Sequence, residues 1–466
     1  MTPDANDLCV FAIKRGIIKN KRFDVYATFS GIINKPQYQY KTLPLASLVD
    51  SFSGGTPSKS PEYEQVYWNG AIPWVSPKDF GQFYIVDSED HITDCAVHDS
   101  TTRIAPPNTV LIVVRSGILK HTLPIAITRS DMAINQDIKA LCPNDLILSE
   151  YLGYYLKVFE KQVLSLCVKH STTVQSINAA EFFSMEIPIP SITTQKKLCN
   201  MMDNADTKRK SLLNNAETLM SSMNIFIHSL LKMHEVPENQ SIAFSISLRD
   251  VVNTRFDPQY HDPFYTCRIE EIQKMRYDSL DNIITFSTEA WNQHDYFDKV
   301  FPYIEISNVS LKQNNYDITY YDISNAPSRA KMIVRNGDII VSSTRPNRGA
   351  IATIQCSPDD IQIASTGFCV LRELKRDDIL KEYLQWILLD DYVLSQMLQR
   401  SSGGNYPAIS TEELKKIVIP IPSIADQQLI CKEASARRQQ ALQLRKEAEQ
   451  EWADAKARFE KELLGE

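Results

Sequence analysis

Downstream of Ser191 the apolar positions fall at Leu198, Met202, Ala205, Leu212, Ala216, Leu219, Met223, Phe226, Leu230 and Met233, in steps of four and three broken once at Arg209. That spacing is the seam of a coiled coil. Near the other end of the chain Ile430, Ala434, Ala441, Leu444, Ala448, Trp452, Ala455, Phe459 and Leu463 follow the same rule, with Glu, Lys and Arg between them. At about 1.5 Å per residue each segment makes a rod of roughly 60 Å. One such helix alone would leave its apolar stripe in water. The two are therefore expected to pack against each other in antiparallel fashion, with Leu198, Met202, Leu212, Leu219, Met223 and Phe226 meeting Leu444, Trp452, Phe459 and Leu463.

Each helix is announced by the same string. Residues 187 to 195 read Ile-Pro-Ile-Pro-Ser-Ile-Thr-Thr-Gln and residues 419 to 427 read Ile-Pro-Ile-Pro-Ser-Ile-Ala-Asp-Gln, 232 positions apart. Proline lacks a backbone donor and pushes its predecessor out of the α region, so two Ile-Pro pairs in succession predict extended chain. Ser191 and Ser423 then stand as N-caps. The same offset pairs Glu150-Tyr151-Leu152 with Glu382-Tyr383-Leu384, Ile177 with Ile409, Glu181 with Glu413 and Cys199 with Cys431. A match held in register over that distance is an internal duplication.

The halves also begin alike, with Arg22-Phe23-Asp24 ahead of Tyr26 and Arg255-Phe256-Asp257 ahead of Tyr260; the first lies in a basic stretch with Lys14, Arg15, Lys19 and Lys21. Next, Gly54-Gly55-Thr56-Pro57-Ser58 predicts a turn, and Ile72-Pro73-Trp74-Val75-Ser76-Pro77-Lys78-Asp79 is answered by Phe301-Pro302-Tyr303-Ile304-Glu305-Ile306-Ser307-Asn308. Short β-branched runs at 110–114 and 338–341, each introduced by a turn, read as strands. Asn135-Gln136-Asp137-Ile138 and Ser365-Thr366-Gly367-Phe368 precede a further strand in each half, and helices are predicted at about 147–168 and 378–400. Two polar loops of equivalent position follow, Lys169-His170-Ser171-Thr172-Thr173-Val174-Gln175 and Ser401-Ser402-Gly403-Gly404-Asn405-Tyr406-Pro407, readable as helix stops or as binding loops. Each half is thus mixed α+β, and the expected boundaries are 1–190 and 237–422 for the globular domains, 191–236 and 423–466 for the helices.

Composition narrows the classes. No apolar run reaches the ~18 residues of a membrane span, and the start, Met-Thr-Pro-Asp-Ala-Asn-Asp, lacks the basic and apolar regions of a signal peptide; a cytoplasmic protein is expected. Nine cysteines stand singly, with no Cys-x-x-Cys pair, which speaks against a disulfide framework or a zinc site. The net charge of −7 is awkward for a nucleic-acid binder, yet a basic face can coexist with acidic helices. There is no nucleotide-binding Gly-x-x-x-x-Gly-Lys-Ser/Thr, no His-Glu-x-x-His, no Gly-x-Ser-x-Gly and no Asn/Asp-Pro-Pro-Tyr/Phe of an amino-methyltransferase. His121 and His170 have no second ligand at helical or hairpin spacing, so no metal is expected.

Two diverged half-copies, each closed by Ile-Pro-Ile-Pro and a long helix, resemble the specificity (S) subunit of Type I restriction-modification enzymes, the HsdS family. Gly-Gly-Thr-Pro and Ile-Pro-Trp-Val-Ser-Pro-Lys-Asp carry the likeness in the first half; the second lacks Gly-Gly-Thr-Pro. The resemblance implies an α+β fold of two target-recognition domains separated by the antiparallel coiled coil. Each domain would read one part of a split, asymmetric sequence of double-stranded DNA. It further implies two methylation subunits carrying S-adenosylmethionine, and a motor-nuclease subunit using Mg-ATP. This chain itself would hold no cofactor and no catalytic residue. Arginine suits a guanine edge and Asn or Gln an adenine edge, so the candidates are Lys78, Arg115, Lys120, His121 and Lys169 in the first half. In the second they are Gln313, Asn314, Asn315, Arg345, Asn347, Arg348 and Asn405. The loop 342–349, with Arg345 and Arg348 directed outward after a strand, is the clearest of them; it also reads as an ordinary polar hairpin. A coiled-coil scaffold and the DNA-binding part of another DNA-modifying system remain as alternatives.

Overall fold

The Ile-Pro-Ile-Pro stretches are short edge strands, the place where a sheet tolerates proline because one side of the strand needs no partner. In the computed structural model, which describes residues 36–169, 174–237, 243–252, 254–292 and 299–465, Glu186–Pro188 pairs antiparallel with Thr42–Pro44 and Val418–Pro420 with Tyr277–Ser279. Ile187 and Ile419 point inward and are fully buried. The basic stretch at 14–22, with Arg22-Phe23-Asp24, and residues 170–173 lie outside the described residues.

Six helices organise the rest: α1 Ser149–Val158, α2 Glu160–Cys167, α3 Ile192–Leu231, α4 Lys381–Ile387, α5 Asp391–Gln399 and α6 Ile424–Leu464. The chain divides into two compact units, one running to Lys210 and resuming at Ala448, the other Ser211–Glu447. The division cuts through α3 and α6 rather than falling at residues 190 and 422. The reason is packing: each length of helix buries its apolar stripe in the core of its own unit.

In the first unit a five-stranded sheet has the order Val49–Ser53, Ile138–Pro143, Val110–Val113, Ile125–Thr128, Tyr84–Ile85. Strand side chains alternate between faces, and here both faces are covered. Val110, Ile112, Ile125 and Ile127 pack with Tyr151 and Leu152 of α1, with Leu198, Met202 and Ala205 of α3, and with Ala455, Phe459 and Leu463 of α6. Leu111, Ala126 and Ala140 face a second sheet through Val75, Met132 and Ile134. The Gly-Gly-Thr-Pro string, predicted as a turn, is irregular chain lying on that second sheet: a Cβ on Gly54 would stand 1.7 Å from the Ile134 carbonyl oxygen.

The second unit repeats the plan. Ile339, Val341, Ile351 and Leu371 face Tyr383 and Leu384 of α4, Met223 and Ile227 of α3, and Ile430 and Ala434 of α6. Ile340, Ala352 and Val370 face Ile304, Val334 and Ala364 of the other sheet. Within each second sheet the aromatic-motif strand, Trp68–Val75 or Val300–Ile304, has one parallel neighbour, through Trp74↔Ala133 and Tyr303↔Ile363.

The helices run antiparallel in each unit. In the first, Lys208 Nζ lies 2.6 Å from Glu451 and Arg209 Nη2 3.1 Å from Glu449; in the second, Arg437 donates to Ser222 Oγ at 2.8 Å. Ala434 and Ala441 of α6 in the second unit, and Ala448 and Ala455 in the first, are buried at seven-residue steps, and such small side chains let helix backbones approach closely. Leu212, Leu219, Leu444 and Trp452 are half-buried, the Trp452 ring lying beneath Lys157 and Arg209. Phe226 also is half-buried, beneath Arg437. The fully enclosed neighbour is Ile227, which the four-and-three count passes over.

One glutamine fastens each long helix to its domain. Gln195 Nε2 donates to the carbonyls of Leu146 and Pro190, both at 3.0 Å, while Oε1 accepts from Leu148 N at 2.9 Å. Gln427 does the same with Asp378 O at 3.0 Å, Pro422 O at 2.9 Å and Leu380 N at 2.8 Å. Both side chains are fully buried, and Tyr151 and Tyr383 add hydroxyl bonds to Pro188 O and Pro420 O, each 2.8 Å. Replacing Gln427 by methionine keeps the volume but orphans three part-buried backbone groups. At the low end of about 1–3 kcal/mol per unsatisfied group, the second unit should lose about 3 kcal/mol. Hydrogen exchange at the Leu380 amide should quicken; protection equal to that of the unaltered chain would contradict the joint.

Candidate nucleic-acid interface

In both units the strand at the centre of the core runs straight into the loop that follows it, and that loop is zipped to the polar loop after the second late helix. In the first unit Arg115–Ser116 pairs antiparallel with Gln175–Ile177, which pairs in turn with Val168–Lys169. Directly opposed residues share a face of a sheet, so Lys169, Ser176 and Arg115 form one row. Both cations are exposed. Lys120 and His121, also exposed, close the turn Gly117–Lys120 beyond Arg115.

In the second unit Thr344 pairs with Ala408, and Ala408 with Ser402. The same row here reads Ser402, Ala408, Thr344 and carries no charge. Arg345 comes one residue later, in the left-handed region with φ +48°. That conformation is costly for a residue with a Cβ, and more so before Pro346. Arg345 N donates to Pro407 O at 2.7 Å, and its Nε and Nη2 both donate to Asn405 O, at 3.2 and 2.8 Å. Its guanidinium also lies 4.3 Å from the Tyr406 ring centre. Arg345 is therefore folded back as a clamp between the two polar loops rather than directed outward. Asn347 is half-exposed, and Arg348 and the Asn405 side chain are exposed.

Other sequence candidates divide sharply. Asn314 is buried in a left-handed conformation, φ +49°, and its Oδ1 accepts from Thr353 N at 2.7 Å; it holds its loop to the strand Ile351–Thr353 and does not face a ligand. Asn315 belongs to the two-residue strand Asn315–Tyr316 and is half-exposed. Gln313 and Arg348 open, with Lys312, onto a cavity of 650 Å³ whose other wall is Glu217, Asn224 and Arg445 of the long helices. Lys78 bridges Glu89 and Asp90 at 3.1 Å each; desolvation pulls its pKa down, but the two carboxylates outweigh it and hold it above the ordinary lysine value. Among the described residues no group of three or more His, Cys, Asp or Glu could hold a metal ion, and no helix is long and apolar enough to cross a membrane.

The sequence reading passed over two aromatics here. Tyr406 is 70 % exposed, and Phe256 is 88 % exposed. Arg255, beside Phe256, donates to the Arg400 and Ser401 carbonyls at 2.8 and 2.9 Å, so the Arg-Phe-Asp string caps the end of α5 where the polar loop begins. A tyrosine before proline in a Gly-Gly-Asn loop was the available signal for Tyr406.

Two mixed α+β units built on one plan, each tied by the same glutamine to a shared pair of long helices, define a duplicated specificity-type architecture. The description "Type I restriction modification DNA specificity domain" matches residues 38–218 and again 269–448, more than half of the chain, and the chain belongs to that family. It is 35% identical over 196 residues to the Type I restriction enzyme EcoR124I/EcoR124II specificity subunit of Escherichia coli, an alignment covering 42% of this chain and 47% of that one. To the MjaIX specificity subunit of Methanocaldococcus jannaschii it is 31% identical over 156 residues, 33% of this chain and 34% of the other. The chain thus spans less than half the length of each of these relatives. Among solved structures, the S subunit from M. genitalium aligns over 91% of this chain and 96% of its own at 16% identity and a TM-score of 0.41. A chain from a study of complex assembly in the type I R-M system aligns over 91% and 97% at 14% identity and a TM-score of 0.46.

If the Lys169–Arg115 row meets phosphates, removing either cation by alanine lowers affinity for all DNA alike and reduces the slope of log K against log salt by about 0.9. If either reads a base edge, the loss is about 1–3 kcal/mol and falls on particular sequences. A salt series of binding curves separates the two, and an unchanged slope with unchanged preference would take the row out of the interface.

Proposed function

We propose that this chain is the DNA-addressing, non-catalytic subunit of a cytoplasmic Type I restriction-modification complex. Each unit reads one part of a bipartite, asymmetric site in double-stranded DNA. The loops at Arg115–His121 and Lys169 serve the first part, and those at 343–349 and 401–408, with Arg348, Asn347 and Asn405, serve the second. Gln313 and Asn315 flank the latter group. The exposed faces of α3 and α6 dock two methylation subunits, and a motor-nuclease subunit using Mg-ATP joins them to cut unmodified DNA. S-adenosylmethionine, held by the methylation subunits, supplies the methyl group for adenine.

The observation that carries this reading is the pair of cross-strand rows. One frame appears twice, with Lys-Ser-Arg on it in the first unit and Ser-Ala-Thr in the second. A scaffold has no use for two similar frames with different side chains on them. A reader of two unlike half-sites requires them, because specificity resides in side chains reaching base edges while the frame only positions them.

The test is reconstitution with the methylation subunits encoded alongside it, followed by mapping of methylated adenines in exposed genomic DNA. The expected result is co-purification and a methylated sequence of two fixed parts around a gap. A chain that captures no methyltransferase, or a complex that marks one continuous motif, would overturn the proposal.

A further inference from the structure

We propose that Tyr406 is a specificity-determining residue of the second unit, a rigid stacking surface that meets a base of the second half-site, with Arg345 as its positioning residue. The inference rests on the DNA-addressing function proposed above.

The loop that carries Tyr406 is held at its base and from the side by Arg345. Ser402 and Ala408 exchange both backbone hydrogen bonds, at 2.9 and 2.8 Å, closing the hairpin. Gly403 follows Ser402 with φ +101°, where a side chain would be strained. Pro407 follows the tyrosine directly, and its carbonyl accepts from Arg345 N at 2.7 Å. The Arg345 guanidinium spans the remaining gap, bonded twice to Asn405 O and set 4.3 Å from the ring centre. The ring is nevertheless 70 % exposed. A mobile loop with an exposed aromatic would pay an ordering cost on binding; this one has met that cost in folding.

The position is also marked by the repeat. The 232-residue offset that aligns Ile177 with Ile409 sets Tyr406 against Val174, which is itself 41 % exposed. The same point of both loops therefore presents an apolar side chain of different shape, beside rows of different charge. Where the first unit offers two cations, the second offers a ring backed by one.

That combination suits a nucleic acid base. An aromatic ring offers any base a stacking surface, and a guanidinium beside the ring adds positive potential toward the phosphates. In a duplex an aromatic wedge can lodge against a base-pair step and part it, so sequence is read through stacking and step flexibility rather than hydrogen bonds. Arg345→Lys keeps the charge but not the planar fork, so it should loosen the ring without abolishing it.

The test uses the full chain in its complex with methylation subunits. Methylated adenines are mapped for the unaltered complex, and duplexes carrying the mapped site, with 2-aminopurine placed singly through the second part, are then titrated. Tyr406→Ala should lower affinity for that site about tenfold or more, relax or erase the second part of the methylated motif, leave the first part intact, and remove a 2-aminopurine fluorescence change at one position. Tyr406→Phe, which keeps the ring and drops the hydroxyl, should behave as the unaltered chain, and Arg345→Lys should fall between them. Thermal unfolding of each variant shows that the unit still folds. Tyr406→Ala with unaltered motif and affinity would overturn the inference while leaving the proposed function standing. So would an equal loss on all DNA, or a loss of methyltransferase capture instead, which would make the ring a protein contact. A parent complex that marks no bipartite site would take both readings down together.

Discussion

In each unit a buried glutamine joins the long helix to its domain. Gln195 and Gln427 each make three hydrogen bonds that join a proline-bounded strand, the loop before a late helix and the first turn of a long helix. A buried amide with unmet partners is costly, so the joint tolerates one geometry and resists others. Ser191 and Ser423 cap the helix start beside it, accepting from Thr194 N and Asp426 N, each at 3.2 Å. The long helices are consequently extensions of the domains rather than tethers. Their apolar stripes complete the cores, which is why each compact unit includes a length of both helices.

A rigid frame used twice leaves the loops free to differ. The central strand in each unit is buried on both faces and cannot vary without disturbing two cores at once. Its continuation past Val113 or Ser342 is less buried, and cross-strand pairing joins it to the loop after the late helix. Side chains there change at little cost to stability, so two half-copies on one plan can carry different polar and charged groups. Lys169 and Arg115 on one frame, and Arg345 clamping Asn405 and Tyr406 on the other, are two outcomes of that freedom.

What was legible in the sequence was local or periodic. Proline pairs force extended chain, four-and-three spacing forces a helix with one apolar face, and an offset held across the chain reveals the repeat; all three are seen in the fold. The glutamine ending each copy of the repeated string was visible as a match, but two of its three partners lie 47 and 49 residues away in the chain, and nothing in composition points to them. The arrangement of the candidate residues was hidden in the same way. Arg115 and Lys169 are on one face because both pair with Ser176, a register that only the folded sheets determine. Asn314 looked like a polar loop residue until its left-handed backbone turned it inward, and Arg345 looked free until the second loop closed on it. Ile227 replaced Phe226 in the enclosed seam because residues on a 3.6-residue turn drift against a strict heptad.

The central claim is that the two units act as separate readers on a common pair of helices. Exchange of residues 1–190 for the equivalent segment of a relative, with Gln195 and the long helices left as they are, tests it most directly when the methylated adenines of the hybrid complex are mapped. One part of the methylated motif should change to the relative's sequence, with the other part and the gap between them retained. A hybrid in which both parts change, or neither does, would contradict the account.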